Sequence, residues 1–139
     1  LYSLLGNNFL KTMMRLGKER DALNVVFDQI GTPTLASDLG QTILTITQDP
    51  EIFSPGIYHY SNEGVCSWYD FAVVIFRETG IQCSVSPVES DMFPTPAPRP
   101  AYSVMDKSKI RNTYGISIPH WQESLKKCIN NLQTTEQKH

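Results

Sequence analysis

Cysteine is scarce in this chain. Cys66, Cys83 and Cys128 are an odd number at wide spacings with no C-x-x-C pair, which argues against a disulfide framework and a zinc site and leaves three buried thiols as the expectation. Long apolar runs are missing as well: no stretch of about 18 or more apolar residues occurs, so no membrane-spanning helix is expected. The opening Leu1-Tyr2-Ser3-Leu4-Leu5 lacks the basic start and cleavage pattern of a signal peptide. An excess of positive charge is absent too. A net charge of −2 and a pI near 5.9 offer no basic field to nucleic acid or anionic lipid. The expectation is a soluble, cytoplasmic protein with no nucleic-acid or membrane partner.

Several kinds of catalytic equipment are also lacking. There is no G-x-G-x-x-G and no P-loop, hence no dinucleotide turn and no nucleotide cradle of those types. None of the six tyrosines is followed four residues later by Lys; Gly6, Asn62, Gly64, Val73, Asp106 and Ile118 stand at that offset. His59, His120 and His139 are too far apart for a local metal motif, and Glu89 with Asp91 has no matched partner for acid-base work. There is no initiator Met, and the first residues read as the end of an apolar strand, so a piece of a longer protein is expected.

What is present is one domain's worth of chain: 139 residues, 40% apolar and 19% charged, enough to bury a core. Asn7 or Asn8 can cap a helix carrying Phe9, Met13 and Leu16 on one face, with Gly17 weakening its last turn. Leu23 to Phe27 reads as a strand, and 28–34 as a turn-rich loop. Ser37 or Asp38 is placed to cap a helix with Leu39, Ile43 and Ile46 inward, ending at Asp49-Pro50. Ile57 to Tyr60 reads as a strand, followed by a turn over 61–64. Ser67 and Asp70 make a capping box for a helix with Phe71, Val74 and Ile75 inward, stopped at Gly80. Cys83 to Val88 is a further strand. The last helix, near His120 to Leu132, aligns Trp121, Leu125, Cys128, Ile129 and Leu132, and residues 133–139 form a polar tail. The alternation of strands and helices predicts an α/β protein with parallel strands.

One stretch stands out. Four of the nine prolines, Pro94, Pro96, Pro98 and Pro100, fall within seven residues, which excludes helix and central strand and leaves an ordered loop. Tyr102 to Val104 then turns strand-like, and Asp106 opens a short helix toward Gly115. Arg99 lies between two prolines, a stiff mount for a planar fork suited to phosphate oxygens, or else a solvated loop cation.

Four blocks, Gly6 to Met13, Asp28 to Thr34, Gly56 to Asn62 and Pro94 to Lys109, together resemble the C-terminal part of the dTDP-4-dehydrorhamnose reductase family, extended short-chain dehydrogenases/reductases. The resemblance runs from Leu1 to Trp121. It implies the C-terminal part of a Rossmann-like NAD(P)-binding fold, with the last Rossmann strands and a small substrate-binding domain over residues 1–132. Leu1-Tyr2-Ser3 would end the strand after the catalytic helix, and Ile57 to Tyr60 would add a Rossmann strand. The implied reaction reduces the 4-keto group of dTDP-4-dehydro-L-rhamnose with hydride from NADPH or NADH. The cofactor and the Tyr-x-x-x-Lys pair belong to an N-terminal half, with room for Mg2+ in the full-length protein and for a homodimer.

The dTDP-sugar contacts implied for this segment are Asn8, Phe9, Lys11, Gln29, Thr34 and Arg99. Asn8 offers its amide and a helix N-terminus to the diphosphate. Phe9 serves either the pocket or the core, Lys11 either the ligand or solvent, and Gln29 and Thr34 are polar loop contacts. Related enzymes place a phosphate-binding Arg in the second block where Gly31 stands, which shifts that work to Arg99. Two other readings are a binding subunit like the regulatory subunit of methionine adenosyltransferase, which resembles these reductases, and an α/β interaction domain.

Overall fold

In a computed structural model that describes residues 1–48, 51 and 53–136, five helices surround two small sheets. Helix α1 spans Phe9–Glu19 and is capped by Asn8, whose Oδ1 accepts from the Lys11 amide at 3.2 Å. Strand β1, Ala22–Val26, follows and pairs in parallel with β4, Ser84–Val88, in a register that sets Leu23 opposite Val85 and Val25 opposite Pro87. Pro87 is tolerated because β4 has a partner on one side only. A second, two-residue pair joins β2, Ile30–Gly31, antiparallel to β3, Cys66–Ser67.

Helix α3, Trp68–Thr79, is the central element and packs against α1, β1, β3, β4 and α5, which spans Trp121–Glu136. Its ends follow from local chemistry. The Ser67 hydroxyl accepts from the Asp70 amide at 3.0 Å while the Asp70 carboxylate accepts from the Ser67 amide at 2.9 Å, and Gly80 closes the helix at φ +71°. Between these caps Phe71, Ala72, Val74, Ile75 and Phe76 are buried. Phe71 meets Tyr2, Phe9 and Trp121 at centroid distances of 5.4, 5.7 and 5.8 Å. Leu10, Leu125, Cys128 and Ile129 complete the core, each large aliphatic contributing about 1.5–3 kcal/mol by leaving water.

Several expectations need correction. Ile57 to Tyr60 is irregular rather than a strand, and Ile57 is 80% exposed; no strand among the described residues runs beside it to complete a ladder. Helix α2, Ala36–Gln48, begins before Ser37, on the carbonyl of Leu35, and Asp38 is turned to other work described below. Of its expected inward face Ile43 is 51% exposed while Leu39 and Ile46 are half-buried, and Thr42 is the buried residue. The expected stop at Asp49-Pro50 lies outside the described residues, as does His139. Tyr102 makes an isolated bridge to Ile30 and no strand. Helix α4, Ser108–Tyr114, starts two residues after Asp106 and ends at Gly115 as expected. Helix α5 continues to Glu136, beyond Leu132. Of the thiols, Cys66 and Cys128 are buried and Cys83 is half-buried.

Gly17 has a role that helix propensity hides. A Cβ at this position would lie 2.6 Å from the Phe76 ring and 2.9 Å from Ile81, so its bare backbone is what lets α1 approach α3. Gly17→Ala should therefore destabilise the full-length protein by about 1–3 kcal/mol, although alanine is ordinarily the better helix former by about 1 kcal/mol. Equilibrium urea unfolding checks the sign, and an unchanged or raised midpoint would contradict the packing argument.

Candidate functional site

The larger of two adjoining cavities, about 370 Å³, opens where the β2-β3 pair meets the proline-rich loop. One wall is Gln29 to Pro33. The second is Cys66, Ser67 and Trp68, where β3 passes into α3. The third is Arg99, Pro100 and Ser103. The third wall is laced to the first by backbone bonds, Ile30 N–H to the Ala101 carbonyl at 2.8 Å and Ser103 N–H to the Ile30 carbonyl at 2.9 Å. The exposed loop thus returns to the same place on β2 even though Tyr102 makes only a bridge.

The polar groups of the cavity are oriented before any ligand arrives. Gln29 Nε2 donates to Ser90 Oγ at 2.8 Å, and that hydroxyl donates to Asp28 Oδ1 at 2.6 Å. The Ser90 hydroxyl, together with the Ser90 amide at 3.1 Å, holds the Asp28 carboxyl below the usual carboxylate range. Gln29 Oε1 has no partner among the described residues. Arg99 is exposed and makes no hydrogen bond or ion pair among them. Trp68 is 37% exposed, its ring braced by Phe9 at 4.7 Å, so the cavity has a flat apolar surface on the side formed by α3.

Of the six expected contacts, Gln29 and Arg99 line this cavity. Thr34 lines the smaller neighbour of about 320 Å³, which shares Leu1, Thr32 and Ser103. Thr34 is itself buried, its Oγ1 donating to the Thr32 carbonyl at 3.2 Å. Asn8, Phe9 and Lys11 line neither cavity. Asn8 spends its amide at home: Nδ2 donates to the Ser3 carbonyl at 2.9 Å while Oδ1 caps α1. Phe9 packs on Trp68 and Phe71, and Lys11 lies close enough to Cys128 for its charge to oppose the rise of that thiol's pKa. A Cβ at Gly31 would meet the Ser103 hydroxyl at 2.9 Å, so a side chain there would have to turn that hydroxyl aside. Trp68, Thr32 and Ser103 were not expected on the wall. The available sequence signal for Trp68 was its place as the first residue after a capping Ser, where an aromatic is held outward by the helix start.

Among the described residues no three His, Cys, Asp or Glu side chains converge on a metal position, and no helix is long and apolar enough to cross a membrane.

The family model for the RmlD substrate binding domain matches residues 1–134. A dTDP-4-dehydrorhamnose reductase of Aggregatibacter actinomycetemcomitans is 43% identical over 130 residues, covering 87% of this chain and 44% of that protein. The crystal structure of a dTDP-4-dehydrorhamnose reductase from Clostridium acetobutylicum is 48% identical with a TM-score of 0.86, covering 92% of this chain and 45% of that one. The Bacillus anthracis reductase, solved in complex with NADP, is 40% identical with a TM-score of 0.86, covering 94% and 45%. This chain spans just under half the length of the relatives it matches.

Burial pushes the Cys66 thiol up to about 12, with the Asp70 charge adding to it, and burial pushes Cys128 up to about 11. Both are therefore protonated and poorly nucleophilic near neutral pH. A disulfide reagent at about pH 8 should label Cys83 first, and Cys66 and Cys128 only on unfolding, as read by mass spectrometry of the modified peptides. Because the folded state holds these protons more tightly than the unfolded one, their contribution to stability is complete below the ordinary thiol range. It is lost as pH rises from about 9 through the folded values, so the melting temperature should fall across that window.

Proposed function

This chain belongs to the RmlD substrate binding domain family, and from that premise we propose that it is the nucleotide-sugar-binding part of a dTDP-4-dehydrorhamnose reductase. The full-length protein reduces the 4-keto group of dTDP-4-dehydro-L-rhamnose to the alcohol, in the cytoplasm, and supplies dTDP-L-rhamnose. Residues 1–132 form the substrate-binding part. The dinucleotide finds no cradle in this chain, which has neither a glycine-rich turn nor a Tyr-x-x-x-Lys pair; when NADPH or NADH is held elsewhere in the full-length protein it supplies the hydride. Nothing in the described residues supports a site for Mg2+.

The observation that carries the proposal is the guanidinium of Arg99, unpaired among the described residues, on the wall of a cavity that also presents Trp68. A dTDP-sugar combines a doubly anionic linker with a flat base and a deoxysugar. Arg99, mounted between Pro98 and Pro100, offers a fork to phosphate oxygens. Trp68 gives an apolar face to the base or the sugar, and the Gln29 carbonyl oxygen offers an acceptor to a hydroxyl or ring N–H. Asn8 and Lys11 remain secondary candidates, their place away from the cavity favouring capping and surface roles. The reductase names of the relatives favour catalysis over the non-catalytic binding subunit.

Charge-assisted hydrogen bonds are typically worth about 1.5–3 kcal/mol, and about 1.4 kcal/mol is a factor of ten in affinity. Arg99→Ala in the full-length enzyme should therefore weaken dTDP binding by about tenfold or more. Arg99→Lys should recover only part of the loss, and the melting temperature without ligand should hardly move. Calorimetric titration of dTDP decides the matter, and unchanged affinity in Arg99→Ala would return the residue to solvent. The 139-residue chain alone should give no oxidation of NADPH in the presence of the keto-sugar, whereas the full-length enzyme should.

A further inference from the structure

We propose that Asn62 is a positioning residue for the cavity, setting the spacing of its walls without touching a ligand. The proposal rests on the nucleotide-sugar reading above. Asn62 is 0% exposed and lines neither cavity, yet it bonds to segments on both sides of them. Its Oδ1 accepts from the Leu35 amide at 2.8 Å, and its backbone N–H donates to Thr34 Oγ1 at 3.4 Å. Thr34 Oγ1 in turn reaches the carbonyl of Thr32, a residue shared by both cavities, and Thr32 Oγ1 returns to the Gly64 carbonyl at 2.8 Å. That closes a loop of bonds around the first wall.

On the other side, the Asn62 carbonyl accepts from Lys107 Nζ at 3.0 Å. Lys107 is buried and also paired with Glu63 Oε2 at 3.2 Å, four residues after Ser103 on the strap that carries Arg99. Asn62 Nδ2, with two hydrogens, faces three acceptors: Asp38 Oδ2 at 2.8 Å, Ser124 Oγ at 3.0 Å and the Pro119 carbonyl at 3.2 Å. Ser124 Oγ donates to the same Asp38 oxygen at 2.5 Å. The side chain thereby fixes Asn62 to Leu35 and to the two helices α2 and α5, and the backbone so held bonds to Thr34 behind the first wall and to Lys107 on the Arg99 strap. No smaller residue reproduces both faces of the amide. Serine cannot reach Leu35 and Asp38 together, and aspartate would set a carboxylate against Asp38 and the Pro119 carbonyl.

The test uses the full-length reductase, with dTDP affinity by calorimetry well below the melting point and steady-state kinetics on the keto-sugar. Asn62→Ser should weaken dTDP binding by about tenfold and raise KM by a similar factor while kcat stays within about twofold. In that background Arg99→Ala should cost about threefold or less, because a displaced strap no longer delivers the guanidinium. A lowered melting temperature with dTDP affinity and KM unchanged would show a merely structural Asn62 and overturn the proposal, as would fully additive losses in the double variant. Should Asn62→Ser fail to fold, Lys107→Met, which keeps the buried stem but removes the bond to the Asn62 carbonyl, carries the same expectation of raised KM at steady kcat. Wild-type protein that does not bind dTDP would sink the nucleotide-sugar reading and this proposal with it. Affinity lost in Arg99→Ala but intact in both Asn62→Ser and Lys107→Met would overturn this proposal alone.

Discussion

A fully buried side-chain amide is a liability unless every one of its hydrogens and lone pairs is met, because each unpartnered group costs about 1–3 kcal/mol. In this chain the Asn62 side chain meets that demand with partners drawn from four places, Leu35, Asp38, Pro119 and Ser124, while its backbone carbonyl takes Lys107. Hydrophobic contacts could hold the same segments together at similar strength, but they tolerate sliding. A set of directed bonds around a single planar group does not. Packing by Phe71, Leu125 and Ile129 supplies the stability of the core, and the polar hub supplies the relative placement of loops that no sheet organises.

The scarcity of regular sheet makes that placement matter. The β2-β3 pair is two residues long on each side, and the strap carrying Arg99 touches β2 through one isolated bridge. Ladders this short do not define a register by themselves. The nearest ion pairs follow the same division. Glu63 pairs its carboxylate with Lys107 at the start of α4 and Arg111 within it, while its backbone bridges to His120 and bonds to Trp121 at the start of α5. Arg99, by contrast, meets no anion among the described residues. The contrast between saturated cations around Glu63 and an unsatisfied one on the cavity wall is the electrostatic signature of the site.

What was legible in the sequence was local. The Asn8 cap, the Ser67-Asp70 box and the stops at Gly80 and Gly115 depend on residues within one turn of each other, and all formed as read. The Phe71, Val74 and Ile75 face and the α5 stripe were legible because both helices bury a full side against one core. Ile57 to Tyr60 has strand-like residues but no neighbouring strand, and pairing is a tertiary property that composition does not carry. The Ile43 face misled for a related reason: helical periodicity identifies an apolar stripe, not what lies opposite. At the site, the proline mount drew attention to Arg99, which lines the cavity, whereas Asn8 lines neither cavity and uses its side chain to cap α1, since a cap and an anion use the same amide groups. Asn62 read as part of a turn; nothing in its neighbours reveals that Ser124, sixty-two residues later, returns to it.

The two kinds of order meet at the cavity. Gln29 is oriented through Ser90 and Asp28, Trp68 through the start of a capped helix and the ring of Phe9, and Arg99 through flanking prolines whose φ is fixed by covalent geometry. Each device removes rotamer or backbone freedom before a ligand arrives, which lowers the ordering cost of about 0.5–1.5 kcal/mol per immobilised side chain that binding otherwise incurs. None of the three devices fixes the distance between walls, since each acts within its own segment. That distance comes from bonds between segments, the β2-β3 pair and the Ile30 bonds to Ala101 and Ser103 at the cavity rim among them. Behind these walls Asn62 adds a further tie, its side chain bonding to α2 and α5 and its backbone to Thr34 and Lys107.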